Sequence, residues 1–431
     1  MTGRGARGSR TRAIAALAAV LGCQAALADD LALDPSRSEV GGLPVLAYDS
    51  DLGLVVGGIV SLARFAPGRA PYAWRLQAIA STSFKQRASG LALPLHDDSL
   101  ALDVPGLLSG AIRLTAELAF RRHDDAGWFG PGGDSSAALP AGAPATYHAY
   151  TRLFPGASLN VRARLYEPAD RSPGRLELLL GAELTYSDVR VTPGSLLDEQ
   201  LALARAGGPG DAAVLSQVLR GIAPHTLARL RIGLLYDTRD HELAPTRGVF
   251  LEASTRVAPA PRQLRHVGLF ASAAGFVELG SRRVVAAGRV LGDALIGAPP
   301  FYALAQAGVS SPLFAPGGGG SVRGVALQRF SGKLKLVANA ELRVELARFT
   351  ARAQRLRLGA VAFADVGRAL ADWRPTTLGG RSTDGPWTRA AVGLGGGVRL
   401  IWGEAFAIRA DLAYSPSERT RGVYVGIGQV F

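Results

Sequence analysis

Short segments in which apolar and polar side chains alternate run through most of this chain, and they restrict its fold more than any other feature. Leu178, Leu180, Ala182, Leu184 and Tyr186 alternate with Gly181, Glu183, Thr185 and Ser187. Ala338, Ala340, Leu342, Val344 and Leu346 stand against Asn339, Glu341, Arg343 and Glu345. Period two sends successive side chains to opposite faces of a strand. A soluble sandwich would hide large residues on its apolar face. Here that face is often Ala, Val and Leu, while the other holds charges and glycines, as suits a wide polar lumen. Hydrophobic residues make up 48% of the 431, with 54 glycines. Yet beyond the first 28 residues no uncharged apolar run fits a membrane-spanning helix, which needs about 20 residues. The other structure that satisfies its whole backbone in lipid is a closed barrel.

The alternation therefore predicts an all-β fold, a transmembrane antiparallel β-barrel of about sixteen strands. The first is expected over 53–65, the third over 88–96, the fifth over 146–154 and the last over 422–431. The longest connections are 191–225 and 298–332. The first contains helical stretches over 196–206 after Ser195 and 212–219 after Asp211, each with an N-cap residue. The barrel domain is placed at 51–431. Residues 29–50 form a short N-terminal segment, too small to be a domain of its own.

Residues 1–28 read as a signal peptide. Arg4, Arg7, Arg10 and Arg12 precede an apolar run from Ala13 to Gly22, and Ala26-Leu27-Ala28 has the small-x-small form of a cleavage site. The expected destination, beyond the inner membrane, is the bacterial outer membrane. A rival reading takes Val20-Leu21-Gly22-Cys23 as a lipobox with Cys23 acylated. Cys23 is the sole cysteine, so a chain cut after Ala28 has no disulfide and no thiolate metal site.

The formal charge of +13 comes almost wholly from arginine, since lysine occurs only at 85, 333 and 335. These arginines are mostly spread singly among apolar residues, without a basic block or stacking motif, so nucleic acid is not an expected partner. A polar lumen, or the phosphates of outer-membrane lipids and lipopolysaccharide, accounts for them better. The histidines at 96, 123, 148, 225, 241 and 266 include no pair at the spacing of two ligands on a helix face, so no metal is expected. His96-Asp97-Asp98 and His123-Asp124-Asp125 read as solvated turns. A barrel hydrolase would need a serine–histidine pair on the outer wall. His266 with Ser254 or Ser272 is the nearest approach to one, and nothing in the sequence fixes their geometry. No enzyme activity and no cofactor are expected.

Gly317-Gly-Gly-Gly-Ser-Val-Arg-Gly324 lies in the second long connection. It is not a phosphate loop, because no Lys-Ser/Thr follows and no parallel βα unit surrounds it. Its glycines allow backbone to pass through a confined space. Ser321, Val322, Arg323 and Gly324 resemble the VRG(F/Y) motif of the BamA/TamA superfamily of outer-membrane assembly and surface-antigen proteins. Gly233-Leu-Leu-Tyr-Asp-Thr-Arg-Asp240 with Pro245-Thr-Arg-Gly248 is similar to that family's mid-barrel hairpin. Asn339-Ala-Glu341-Leu-Arg343, Phe363-Ala-Asp365-Val-Gly367 and the stretch 393–431 resemble the strands after the motif, and 44–58 resembles the opening strand.

The resemblance implies a loop folded into the barrel, with Arg323 paired to lumen-facing Glu341 and Asp365. Strand parity puts both acids on the polar face of their strands. Phe431, ending an alternating strand, resembles the signal read by barrel-assembly machinery. Two departures stand out. Val325 replaces the family's aromatic, which implies weaker docking of the loop, and no tandem POTRA domains precede the barrel. The implied function is insertion or translocation of proteins, or of lipids, with client outer-membrane proteins as partners. A seam between the first and last strands, 53–65 and 422–431, is expected to open. The alternatives are a passive pore and a structural surface antigen.

Overall fold

The computed structural model describes residues 36–431 except 68–71, 88–89, 169–173, 352–353 and 403–405. The leader, with Cys23, lies outside the described residues. Sixteen strands form the wall: β1 (Ser38–Asp49), β2 (Gly53–Arg64), β3 (Trp74–Arg87), β4 (Leu95–Leu107), β5 (Ile112–Gly127), β6 (Gly156–Tyr166), β7 (Arg175–Val191) and β8 (His225–Asp237). They continue as β9 (Gly248–Ala260), β10 (His266–Glu278), β11 (Val284–Gly297), β12 (Leu334–Ala351), β13 (Gln354–Leu370), β14 (Ala391–Trp402), β15 (Phe406–Ser415) and β16 (Thr420–Ile427). Each pairs antiparallel with the next, and β1 meets β16, so the sheet closes on itself.

Alternation sorts the two faces. Leu230, Ile232 and Leu234 of β8 are 55%, 53% and 46% exposed, whereas Leu227 and Leu235, one parity away, are buried. The outward row meets lipid, where an Arg or Lys at mid-depth costs about 2–4 kcal/mol. The inward rows carry Glu252, Arg256, Asp293, Lys335, Glu341 and Asp365, all buried, because chain 298–333 occupies the lumen. Among the described residues no helix is long and apolar enough to cross a membrane.

All long connections leave one end of the barrel. There α1 (Leu196–Ala206) starts at Ser195, whose Oγ accepts from Asp198 N at 3.2 Å, and α2 (Asp211–Val218) follows. Leu197, Leu201 and Leu215 pack on Trp128, Tyr150 and Phe301, covering that end of the lumen. The outer wall turns polar at the same end. His96 and Asp98 of β4 pair at 2.8 Å, and Arg122 and Asp124 of β5 at 2.7 Å. Arg368, of the same parity as outward Val366, donates to the carbonyls of Pro386, Trp387 and Arg389, and Trp387 is left 78% exposed.

The number of strands agrees with the alternation count, but their membership differs. Ser38–Asp49, placed by the sequence reading in a segment before the barrel, is its first strand. Gly41, Gly42 and Pro44 broke its pattern. Proline, which has no N–H to give, is tolerated at the part of β1 that β16 does not reach. Instead of a strand over 88–96 there is β4, with Gly90–Ala92 a short extension paired to β3. Ala149–Leu153 is not a strand of its own in the ring. It pairs with β5 and β7 above β6, and Phe154-Pro155 interrupts the two halves of one wall position. The His96–Asp98 and His123–Asp125 segments are strand, not turn.

The closing strand also ends early. β16 stops at Ile427, and Gly428, at φ +94°, turns the chain into the lumen. Arg289 and Arg343 donate to the carbonyls of Val430 and Phe431, and the Phe431 ring packs on Phe276 at 6.2 Å. The seam is therefore between Ser38–Asp49 and Thr420–Ile427, not 53–65 and 422–431. Its strand pairing is confined, among the described residues, to Tyr48 with Val425 and Asp49 with Tyr424. The neighbouring β1–β2 ladder runs unbroken from Ser38–Arg64 to Asp49–Gly53.

Candidate functional site

The luminal chain tightens around glycines. Gly324 takes φ +86°, which L side chains rarely adopt. Gly393 of β14 lies so close that a Cβ would stand 2.0 Å from the Arg323 carbonyl oxygen. Ser321 Oγ folds back on the loop, accepting from Gly317 N at 2.9 Å and donating to Gly317 O at 2.8 Å. Val322 is fully buried among Val325, Phe330, Val337 and Ala391.

That backbone delivers Arg323 to two adjacent strands. Its Nε and Nη2 donate to Asp365 Oδ2 and Oδ1 at 2.8 and 2.9 Å, a two-pronged pairing with β13. Its Nη1 donates to Glu341 Oε1 on β12 at 2.7 Å, and Arg323 N also reaches Asp365 Oδ2 at 3.1 Å. The guanidinium stacks 3.4 Å from the Phe363 ring centre. All three charged side chains are 0% exposed. A buried ion so placed needs both charge and hydrogen-bond partners, and this one has them.

The structure thus brings Arg323, Glu341 and Asp365 together and adds residues that sequence reading missed. Asp411 of β15 lies 3.4 Å from Arg323 Nη1 and is paired by Arg399. Arg343 donates to Glu341 Oε2 at 2.8 Å. Asn339 bridges Ser321 O and Asp365 Oδ1 at 2.6 and 2.7 Å. Arg409 and Arg289 donate to the carbonyls of Gly319 and Gly320. Parity would have turned Asp411 inward with Arg409, but no local spacing links position 411 to 323.

Val325, expected to dock weakly, is also fully buried, so an aliphatic side chain fills this part of the loop core. Phe431 stands apart, tucked against Phe276 outside any strand. The loop also touches both edges of the seam: Gly324 N donates to Tyr424 Oη at 3.0 Å, and Leu327 N to Asp51 Oδ2 at 2.9 Å. Burial, with Asp49 beside it, pushes the Asp51 carboxyl up to about 7.

Other constellations stay apart. His266 Nδ1 lies 2.7 Å from Leu264 O, and Ser254 Oγ donates to Glu252, so each has a partner other than the other. His123 packs edge-on against Phe154. Among the described residues no three His, Cys, Asp or Glu side chains are gathered as metal ligands.

A profile of the Omp85 superfamily domain matches residues 107–431. No curated protein matches the sequence. Among solved structures the chain is similar to BamA from Haemophilus ducreyi lacking POTRA domains 1–3, with TM-score 0.55 and 15% identity, covering 91% of this chain and 70% of that one. It is also similar to CdiB from Escherichia coli, with TM-score 0.54 and 12% identity, covering 93% of this chain and 64% of that one. CdiB from Acinetobacter baumannii gives TM-score 0.50 and 12% identity, with 92% and 60% covered. At such identities the likeness is one of fold, and the chain spans less than two thirds of either CdiB.

Proposed function

Since the chain belongs to the Omp85 superfamily, we propose that it assists the insertion or translocation of proteins at the bacterial outer membrane, with outer-membrane proteins as clients. The observation that carries this reading is the seam. A barrel wall otherwise joined by ladders of at least eight residue pairs is closed between β1 and β16 through two. Backbone groups left unpaired at membrane depth are costly, so such an edge favours pairing with an incoming strand. Part of each client could then enter by adding strands there, without any covalent step. Lipids and lipopolysaccharide surround the wall in this reading.

Arg323, Glu341 and Asp365 have a supporting role in it. They anchor the loop that fills the lumen, with Ser321, Val322 and Gly324 shaping its tip. Phe431 serves as an assembly signal for the chain itself. A passive pore is the rival, and the filled lumen weighs against it.

The test is insertion of an unfolded barrel client into liposomes containing the purified protein. Faster folding of the client than in protein-free liposomes is expected. Equal rates, together with steady ion conductance in planar bilayers, would replace the proposal with the pore.

A further inference from the structure

We propose that the luminal loop staples the seam, with Asp51 and Tyr424 as the positioning residues on its two sides. This rests on the seam being the working part of the barrel, as proposed above. Direct closure is short: two residue pairs, and Ser50 N donating to Val423 O at 3.1 Å. The loop reaches both lips within four residues. Gly324 N donates to Tyr424 Oη at 3.0 Å, and Thr420 Oγ1 donates to Gly324 O at 2.5 Å, both on β16. Three residues on, Leu327 N donates to Asp51 Oδ2 at 2.9 Å, in the turn that joins β1 to β2.

Each attachment point is itself held. Asp51 N donates to Asp49 Oδ1 at 2.7 Å, and Lys85 Nζ of β3 donates to Asp51 O at 2.7 Å. Tyr424 is 3% exposed, and its ring lies where a Cβ on Gly319 would be 2.8 Å away. Three and four strands from β16, Arg323 ties the same stretch to β13 and β12. A continuous chain of bonds therefore runs from the wall at β12–β13, through residues 323–327, to β16 on one lip of the seam and the β1–β2 turn on the other. Withdrawal of the loop breaks three bonds to the lips, against two residue pairs and the Ser50–Val423 bond of the direct closure. Loop release and seam opening are one event.

Seam width can be read without any client, so failure of the insertion reading would leave this result standing. Spin labels on outward-facing Leu46 of β1 and Ile427 of β16, in a Cys23→Ser background, report the distance in proteoliposomes by pulsed electron resonance. Heat-modifiable gel migration first selects variants that fold. The parent should give one narrow distance. Asp51→Ala and Tyr424→Phe should each raise a wider population at least threefold, and together more than either alone. Asp51→Asn keeps an oxygen that accepts from Leu327 N and should match the parent. Arg323→Ala, which touches neither lip, should also widen the seam. The proposal is overturned if Asp51→Ala and Tyr424→Phe leave the distance narrow. It is equally overturned if Arg323→Ala exposes the loop to protease while the seam stays closed.

Discussion

Arg323→Ala removes one cation from a site where three carboxylates meet. Breaking a buried ion pair from one side costs about 3–5 kcal/mol, because the abandoned charge stays buried. The neighbours decide where in that range this change falls. Glu341 keeps Arg343 at 2.8 Å, and Asp411 keeps Arg399. Asp365 loses its two-pronged partner and retains Asn339 at 2.7 Å. One acid of the three is left largely uncompensated, so the low end applies, about 3 kcal/mol. At about 1.4 kcal/mol per factor of ten, the released loop becomes about 100-fold more populated. Limited proteolysis of folded protein in liposomes, scored as the cutting rate within 298–333, measures it. Arg323→Lys should fall between, since one ammonium cannot match the fork. Adding Asp365→Asn to Arg323→Ala removes the stranded charge and should recover part of the protection. Cutting of Arg323→Ala at the parent rate would refute the reasoning, and so would a double variant more sensitive than the single one.

Gly393→Ala should undock the loop without touching a charge, since its Cβ would lie 2.0 Å from the Arg323 carbonyl; overpacking of this kind costs about 1–3 kcal/mol, read by the same proteolysis. Trp387→Phe should remove more of the emission quenched by brominated lipid than Trp128→Phe does, because Trp387 is exposed beside Arg368 on the outer wall and Trp128 is buried. Removing Phe431 should lower the amount of barrel reaching the membrane more than it impairs molecules already folded; unchanged membrane levels would end its role as an assembly signal. Asp51 faces Asp49, Lys85 and Tyr424, and burial holds its carboxyl up to about 7. An acid whose pKa is raised by folding keeps its proton in the folded state longer than in the unfolded one. Its contribution to stability therefore falls as pH rises from the ordinary carboxyl range to about 7, and is level above that. Chemical unfolding of the parent against Asp51→Asn, at pH 5 and pH 8, should show the parent losing stability relative to the variant at the higher pH.

The wall was legible because period two needs no partner to be seen: Leu178 to Tyr186 declare their faces by themselves. Where the pattern failed, local chemistry hid a strand or split one. Gly41, Gly42 and Pro44 disguised β1, and Pro155 made one wall position look like two. Of the site, Glu341 and Asp365 could be turned inward by parity and joined to Arg323 by the motif. Asp411, 88 residues beyond Arg323, becomes its neighbour only when β15 pairs with β14 and the loop folds against their inner face. The inward turn at Gly428 was hidden for a related reason, since 422–431 alternates well enough to be a strand to its end. The arginines that draw the final carbonyls inward, Arg289 and Arg343, lie on other strands.

The polar pairs on the outer wall set how deep the barrel sits. His96–Asp98 and Arg122–Asp124 belong among headgroups, so the hydrocarbon begins near Leu100 and Leu118, which face each other one step further down the wall. The turn between β1 and β2 lies at this same end, and with it the Tyr48 and Asp49 pairs. The paired part of the seam thus stands at the interface, and the unpaired length of β1 falls at acyl-chain depth. Hydrophobic thickness then acts on the two parts unequally. Longer acyl chains immerse more unsatisfied backbone, at several kcal/mol for each group, whereas accommodating mismatch by thinning costs only fractions of a kcal/mol per Å. Bilayer thickness becomes a control variable for this protein, through a line on its described surface where lipid meets backbone instead of side chain.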